Sequence, residues 1–100
     1  MDRFDALADP TRREIVAMLA ERERAAGEIA EAFPVTPPAI SQHLKVLREN
    51  GLVRVEKRGQ QRIYSLDPEG LAAMEGWISD MRTIWNARLD RLAAMLDQED

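Results

Sequence analysis

Residues 35–53 read Val35-Thr36-Pro37-Pro38-Ala39-Ile40-Ser41-Gln42-His43-Leu44-Lys45-Val46-Leu47-Arg48-Glu49-Asn50-Gly51-Leu52-Val53, which is one helix with a start signal, two unlike faces and a stop. Thr36 suits the N-cap, because its hydroxyl oxygen accepts an orphan backbone N–H, and Pro37 fits the first helical position, where no N–H is needed. Asn50-Gly51 ends the helix. Between these marks Ile40, Leu44 and Leu47 recur at the spacing that aligns side chains on one side. Pro38, Ser41, Gln42, Lys45, Arg48 and Glu49 fall on the other. One face is core and the other is free to touch a partner.

Upstream, Arg3 to Ala8 is a short helical segment with Phe4 and Leu7 on one side. Asp9-Pro10 repeats the cap-plus-proline signature, and Thr11 to Glu23 follows as an amphipathic helix with Ile15, Met18 and Leu19 on its apolar stripe. Ala25 to Phe33 reads as a third helix, closed by Pro34, with Ile29 and Phe33 four residues apart. Two short helices with a small break between them, the second carrying a mixed polar face, form a helix-turn-helix pattern.

Downstream, Leu52 to Arg58 alternates apolar and charged residues, Gly59-Gln60-Gln61 reads as a loop, and Arg62 to Leu66 alternates again. The expected result is a hairpin of two half-buried strands, with Val53, Val55, Ile63 and Leu66 as its apolar contributors and basic residues near its tip. A helix-turn-helix followed by a basic hairpin is a winged helix.

Asp67-Pro68 opens the longest periodic run. Leu71, Met74, Ile78, Met81 and Trp85 step by three and four, Arg88 interrupts, and Leu89, Leu92 and Leu96 resume, with Trp77 and Ile84 thickening the stripe. A helix from about Pro68 to Asp97 would be roughly 45 Å long at the standard rise, more than a small winged-helix core covers. Either it bends near Asn86-Arg88 or its surplus stripe meets another chain. Trp and Met on that surplus favour a second chain.

The chain of 100 residues is one domain by size, divided into helix-turn-helix and wing over 1–66 and a C-terminal dimerisation helix over 67–97. The fold class is mainly α with a small β-hairpin, α+β. Cysteine is absent, which excludes thiol redox chemistry and a thiolate metal site and fits a reducing, cytoplasmic setting. No apolar run is long enough to span a bilayer and the N-terminal residues lack the order of a secretory signal, so no membrane partner is expected.

The net charge of −4 conceals a segregation. Residues 1–35 hold five arginines against eight acids, 36–65 six Lys or Arg against two acids, and 66–100 three arginines against eight acids. A basic middle between acidic ends is a local footprint for a polyanion.

Ser41, Gln42 and Lys45 are the candidates for a major groove: Gln bonds an adenine edge, Lys reaches guanine or phosphate, and Ser serves either. Arg48 could join them or pair with Glu49 or Glu56. At the hairpin, Arg54, Lys57, Arg58, Gln60 and Arg62 suit phosphate or minor-groove contact, although strand alternation argues against all of them pointing one way. His43, at the shoulder of the apolar face, reads as a packing residue before a phosphate contact or a metal ligand. Met74, Trp77, Met81 and Trp85 could line a pocket for a small apolar effector, but at helical spacing they read as dimer core. An enzyme finds almost nothing here: one histidine, no glycine-rich phosphate loop, no nucleophile elbow, and paired acids such as Asp97, Glu99 and Asp100 only at the terminus. No cofactor is expected.

Three ordered motifs carry a family resemblance. Leu7-Ala8-Asp9-Pro10-Thr11-Arg12-Arg13-Glu14-Ile15, Ser41 to Arg48 with Gly51-Leu52-Val53, and Arg58 to Leu66 together resemble the ArsR/SmtB family of bacterial winged-helix repressors over about residues 5–67. The resemblance implies a homodimer built from the first and last helices, an inverted-repeat operator on double-stranded DNA, and repression relieved by a signal. It adds Phe4 and Leu7 to an interface that the C-terminal stripe extends through Met74, Trp77, Ile78, Met81, Trp85, Leu89 and Leu92.

The departures are as informative. Where the best-known members carry a pair of cysteines on the third helix, this chain has Ala25 and Gly27, and residues 67–100 contain no histidine. The sequence describes a member without Cys or His metal sensing. Pro37-Pro38 removes two N–H donors from the fourth helix, leaving the Ala39 and Ile40 amides and the Thr36 hydroxyl for phosphate. Recognition should therefore begin at Ser41. The competing reading is a winged-helix protein-interaction module that never meets DNA.

Overall fold

The computed structural model describes residues 1–98, so Glu99 and Asp100 of the terminal acids lie outside the described residues. Its elements in chain order are α1 (Arg3–Ala6), α2 (Pro10–Glu21), β1 (Arg24–Ala25), α3 (Ala26–Glu31), α4 (Pro37–Glu49), β2 (Val53–Arg58), β3 (Gln61–Leu66) and α5 (Pro68–Asp97). The architecture is a winged helix-turn-helix with a long C-terminal helix.

Cap chemistry sets the helix boundaries. Asp2 and Asp5 form a reciprocal capping box on α1, Asp5 N donating to Asp2 Oδ1 at 2.9 Å and Asp2 N to Asp5 Oδ2 at 3.0 Å. Asp9 accepts from Arg12 N at 3.0 Å to start α2, and Asp67 from Glu69 N at 3.0 Å to start α5. The end of α4 is a Schellman motif: Leu52 N donates to Leu47 O at 3.0 Å and Gly51 N to Arg48 O at 3.1 Å, with Gly51 at φ +71. Leu47 and Leu52, the apolar pair that accompanies this motif, are fully buried.

Ile15, Leu19, Ile29, Ile40, Leu44, Leu47, Leu52, Val53 and Tyr64 form the core, joined by Ala6. Full burial of each large aliphatic contributes about 2 kcal/mol. The three α4 members fix that helix by its inner face and leave the outer one in solvent.

Several local expectations are corrected. The sheet has three antiparallel strands in the order β1-β3-β2, where a two-stranded hairpin was expected. Arg24 pairs with Tyr64 and Ala25 with Ile63; two residues are too few to show a period. Ala25 is thereby taken into β1 and caps α3, which ends at Glu31, so Phe33 leaves the helix yet still packs on the core. The first two helices are also shorter than expected, α1 stopping at Ala6 and α2 at Glu21. Gln61 belongs to β3, and the turn is the two residues Gly59-Gln60 with Gly59 at φ +62. Glycine at that first central position, with positive φ, is what a type II′ hairpin turn requires. The apolar face of β3 is carried by Tyr64, which lies opposite Val55, whereas Ile63 lies opposite Glu56 and is only half-buried.

The helix expected over Pro68 to Asp97 is present with those bounds and runs without a break through Asn86-Arg88. It carries the molecule to 70 × 26 × 24 Å and a radius of gyration of 19.1 Å, against about 13 Å for a compact chain of this length. Only its first turns rest on the domain: Leu71 and Met74 pack on the core.

Candidate nucleic-acid interface

The exposed face of α4 presents Pro38, Ser41, Gln42, Lys45, Arg48 and Glu49, as the spacing predicts. Lys45 Nζ and Glu49 Oε1 are 4.0 Å apart, one turn of helix from each other. Arg48 pairs with neither of its expected partners, since Glu49 faces Lys45 and Glu56 is engaged by Arg58.

The start of α4 is more closed to phosphate than the sequence suggests. Ala39 N donates to Thr36 Oγ1 at 3.3 Å and Ile40 N to Thr36 O at 3.1 Å. With prolines at the first two positions, every amide of the first turn is absent or used. The Thr36 hydroxyl accepts in the cap and keeps its own proton to donate. The expectation of free Ala39 and Ile40 amides fails because the cap itself consumes them.

His43 lies on the inner flank of α4 and is part-buried. Its Nδ1 stands 3.4 Å from Arg12 Nη1 and 3.8 Å from Asp9 Oδ2. Arginine only donates, so in the contact with Arg12 the ring nitrogen is the acceptor. Arg12 Nε also donates to Ala6 O at 2.6 Å. This cluster ties α4 to the start of α2 and to α1, a packing role. The amide of Arg12, with help from the Arg12 charge, holds the Asp9 carboxyl below its ordinary value.

The wing divides its cations between two faces. Residues directly opposed in an antiparallel pair share a face, and the register pairs Val53 with Leu66, Val55 with Tyr64 and Lys57 with Arg62. Lys57 and Arg62 therefore continue the face that carries buried Val53 and Tyr64. Arg62 borders a cleft that it shares with Pro37, Ile40 and Ser41 of α4 and Gly27 of α3. Arg54, Glu56 and Arg58 lie on the other face. Arg58 Nη1 is hydrogen-bonded to Glu23 Oε1, and its Nη2 lies 3.2 Å from Glu23 Oε2 and 3.0 Å from Glu56 Oε2. These two carboxylates raise the Arg58 pKa further above its ordinary value, and Arg58 in turn lowers that of Glu23. Gln60 is exposed at the turn.

Like charges directly opposed across a ladder repel. Among the described residues neither Lys57 nor Arg62 is in an ion pair, although Arg62 also lines a second cleft with Glu28 and Glu31 of α3.

The expected dimer residues fall into two groups. Leu7 and Met74 pack on the domain's own core, Phe4 stacks tilted against Trp77 with ring centroids 5.1 Å apart, and Met81 is half-buried. Trp77, Ile78, Trp85, Leu89 and Leu92 are 44–57% exposed. Ile84 and Leu96, on the predicted stripe, are exposed with them, as is Met95, which the stripe's spacing left out. Arg88, which interrupts the periodicity, lies over the Trp85 ring at 5.6 Å, so its stem covers part of the stripe. No helix among the described residues is long and apolar enough to cross a membrane.

Comparison with known proteins places these features among bacterial regulators. Residues 9–55 match the family described as "Bacterial regulatory protein, arsR family". The HTH-type transcriptional regulator Rv2034 of Mycobacterium tuberculosis is 46% identical over 96 residues, 96% of this chain and 87% of that protein. The transcriptional repressor SdpR of Bacillus subtilis is 37% identical over 75 residues, 75% of this chain and 83% of that protein. Among solved structures, the homodimeric winged helix-turn-helix DNA-binding domain of Mb0332 from Mycobacterium bovis, a possible ArsR-family transcriptional regulator, superimposes with a TM-score of 0.64 at 29% identity. That match covers 79% of this chain and 73% of the other.

Proposed function

The chain belongs to the arsR family of bacterial regulatory proteins, and from that premise we propose that it is a homodimeric repressor acting in the cytoplasm on an inverted-repeat operator. It is a DNA-binding transcription regulator and not an enzyme. In the proposed complex each protomer sets the outer face of α4 into one major groove, the two grooves lying about 34 Å apart.

Gln42 and Ser41 read base edges, Lys45 reaches guanine or phosphate, and the Thr36 hydroxyl donates to the backbone. Lys57 and Arg62 hold phosphate from the wing, with Arg54 and Gln60 at its margins. The observation that carries this reading is the directly opposed Lys57–Arg62 pair, held in no ion pair among the described residues, with Arg62 bordering the cleft it shares with Ser41. An anion between them removes their repulsion, and the first turn of α4, short of free amides, needs that help. The repressor reading draws on the likeness to SdpR, and the dimer on the open α5 stripe and the likeness to the homodimeric Mb0332 domain. Without Cys or a second His, the proposed regulator does not sense metal through the family's thiolate site.

A duplex selected from a random pool, titrated with salt, tests the proposal. Binding that weakens steeply as salt rises is expected from phosphate contacts. Absence of any duplex binding at low salt overturns it in favour of a protein-interaction module.

A further inference from the structure

We infer that Glu23 is a positioning residue for DNA binding: it anchors Arg58 as a strut across the outer face of the sheet, so that Arg58 sets the wing and does not touch phosphate. β1 and β2 lie on opposite edges of β3. Glu23 immediately precedes β1, and Arg58 is the last residue of β2. Their ion pair therefore crosses the middle strand and joins the wing tip to the connection that leaves α2.

The engagement is two-pronged, one guanidinium nitrogen to each Glu23 oxygen, and Glu56 takes the second nitrogen as well. Both Glu23 oxygens are occupied by this one partner. Isolated exposed pairs contribute little, but fork-to-carboxylate geometry within a network is the case in which they count. The wing has few other ties near its tip, because β1 is two residues long and reaches only Ile63 and Tyr64. Arg58 surrounded by two acids is also the poorest phosphate ligand among the wing cations. Lys57 and Arg62, on the opposite face, are in no ion pair among the described residues, although Arg62 lines a cleft with Glu28 and Glu31.

The inference rests on the DNA-binding reading, and two measurements separate their failures. In duplex titrations, Glu23→Gln and Arg58→Gln should each weaken binding about two- to fivefold, the double variant should be no weaker than either single, and the salt slope should stay at the wild-type value. Arg62→Gln, the comparison, should lower the slope by about 0.9 for each lost phosphate contact. A fall in slope for Arg58→Gln, tighter binding by Glu23→Gln, or additive losses would each overturn the strut. In the free protein, amide exchange over residues 53–66 should be about two- to fivefold faster in both variants alike. Unchanged exchange there overturns the strut, whereas a wild-type chain that binds no duplex overturns only the DNA reading, and exchange then decides the strut alone.

Discussion

A Cβ built on Gly70 would stand 1.8 Å from the carbonyl oxygen of Gly51. The first turn of α5 thus crosses the end of α4 backbone to backbone, with the Arg3 side chain 3.2 Å away from the same point. The obstruction is main chain and cannot swing aside. Gly70→Ala should cost about 3 kcal/mol, at the upper end for overpacking, and displace α5 from the domain. Gly76→Ala meets nothing within 4 Å and should stabilise by about 0.5–1 kcal/mol through helix propensity. Urea midpoints at matched protein concentration check both; equal effects would remove the close-packing account.

The contrast between these glycines shows what the sequence carries and what it does not. Caps, stops and apolar spacing are local, so the recognition helix from Pro37 and the whole of α5 could be read within a residue. The β1 pairing, the Gly70–Gly51 crossing and the Glu23–Arg58 pair each join residues with no periodic or compositional link. The wing's division was half legible: alternation separates Arg54 and Arg58 from Lys57, but which face meets α4 depends on Tyr64 being the buried member of β3. The closed start of α4 could have been counted from Thr36-Pro37-Pro38, since a capping threonine consumes the amides that two prolines leave.

The reading and clamping residues should separate in kinetics-free binding assays. Gln42→Ala should cost about 1–3 kcal/mol of discrimination at one base pair while leaving binding to unrelated duplex nearly intact. Arg62→Ala should weaken all sequences alike and flatten the salt dependence. Competition between selected and scrambled duplexes checks this. Identical profiles for the two variants would mean that α4 and the wing do not divide the work as proposed.

Acid should destabilise the fold through its caps and ion pairs. The Asp9 carboxyl, ordinarily at 3.8, is held lower first by the Arg12 amide, and Glu28, ordinarily at 4.5, is held lower by the Ala25 amide and Arg22. Glu23 is lowered by Arg58. A depressed carboxyl adds stability that is complete above its unfolded value and disappears as pH falls through its folded one. Stability from these groups should therefore be flat above about pH 5 and decline below about pH 4. Asp9→Asn retains a capping oxygen without titrating, so its urea midpoint should fall less than the wild type's across that window. Parallel curves would remove Asp9 from the acid transition.

The last prediction concerns the open stripe of α5. Trp85, Leu89, Leu92 and Leu96 are 52–59% exposed and follow one another on a single helix face, beyond the reach of the domain core that holds Leu71 and Met74. A monomer seldom leaves so continuous an apolar surface in water. If two copies bury it, a carboxylate at its centre loses hydration with no cation to replace it, at a cost of several kcal/mol. Trp85→Asp and Leu89→Asp should each give monomers in sedimentation velocity at concentrations where the wild type is dimeric. The domain of residues 1–66 should stay folded, because neither side chain belongs to its core, and unchanged amide exchange there separates dissociation from unfolding. Operator affinity should fall to that of a single half-site, since the second α4 is no longer tethered to the first. An intact dimer in both variants would move the interface off this stripe.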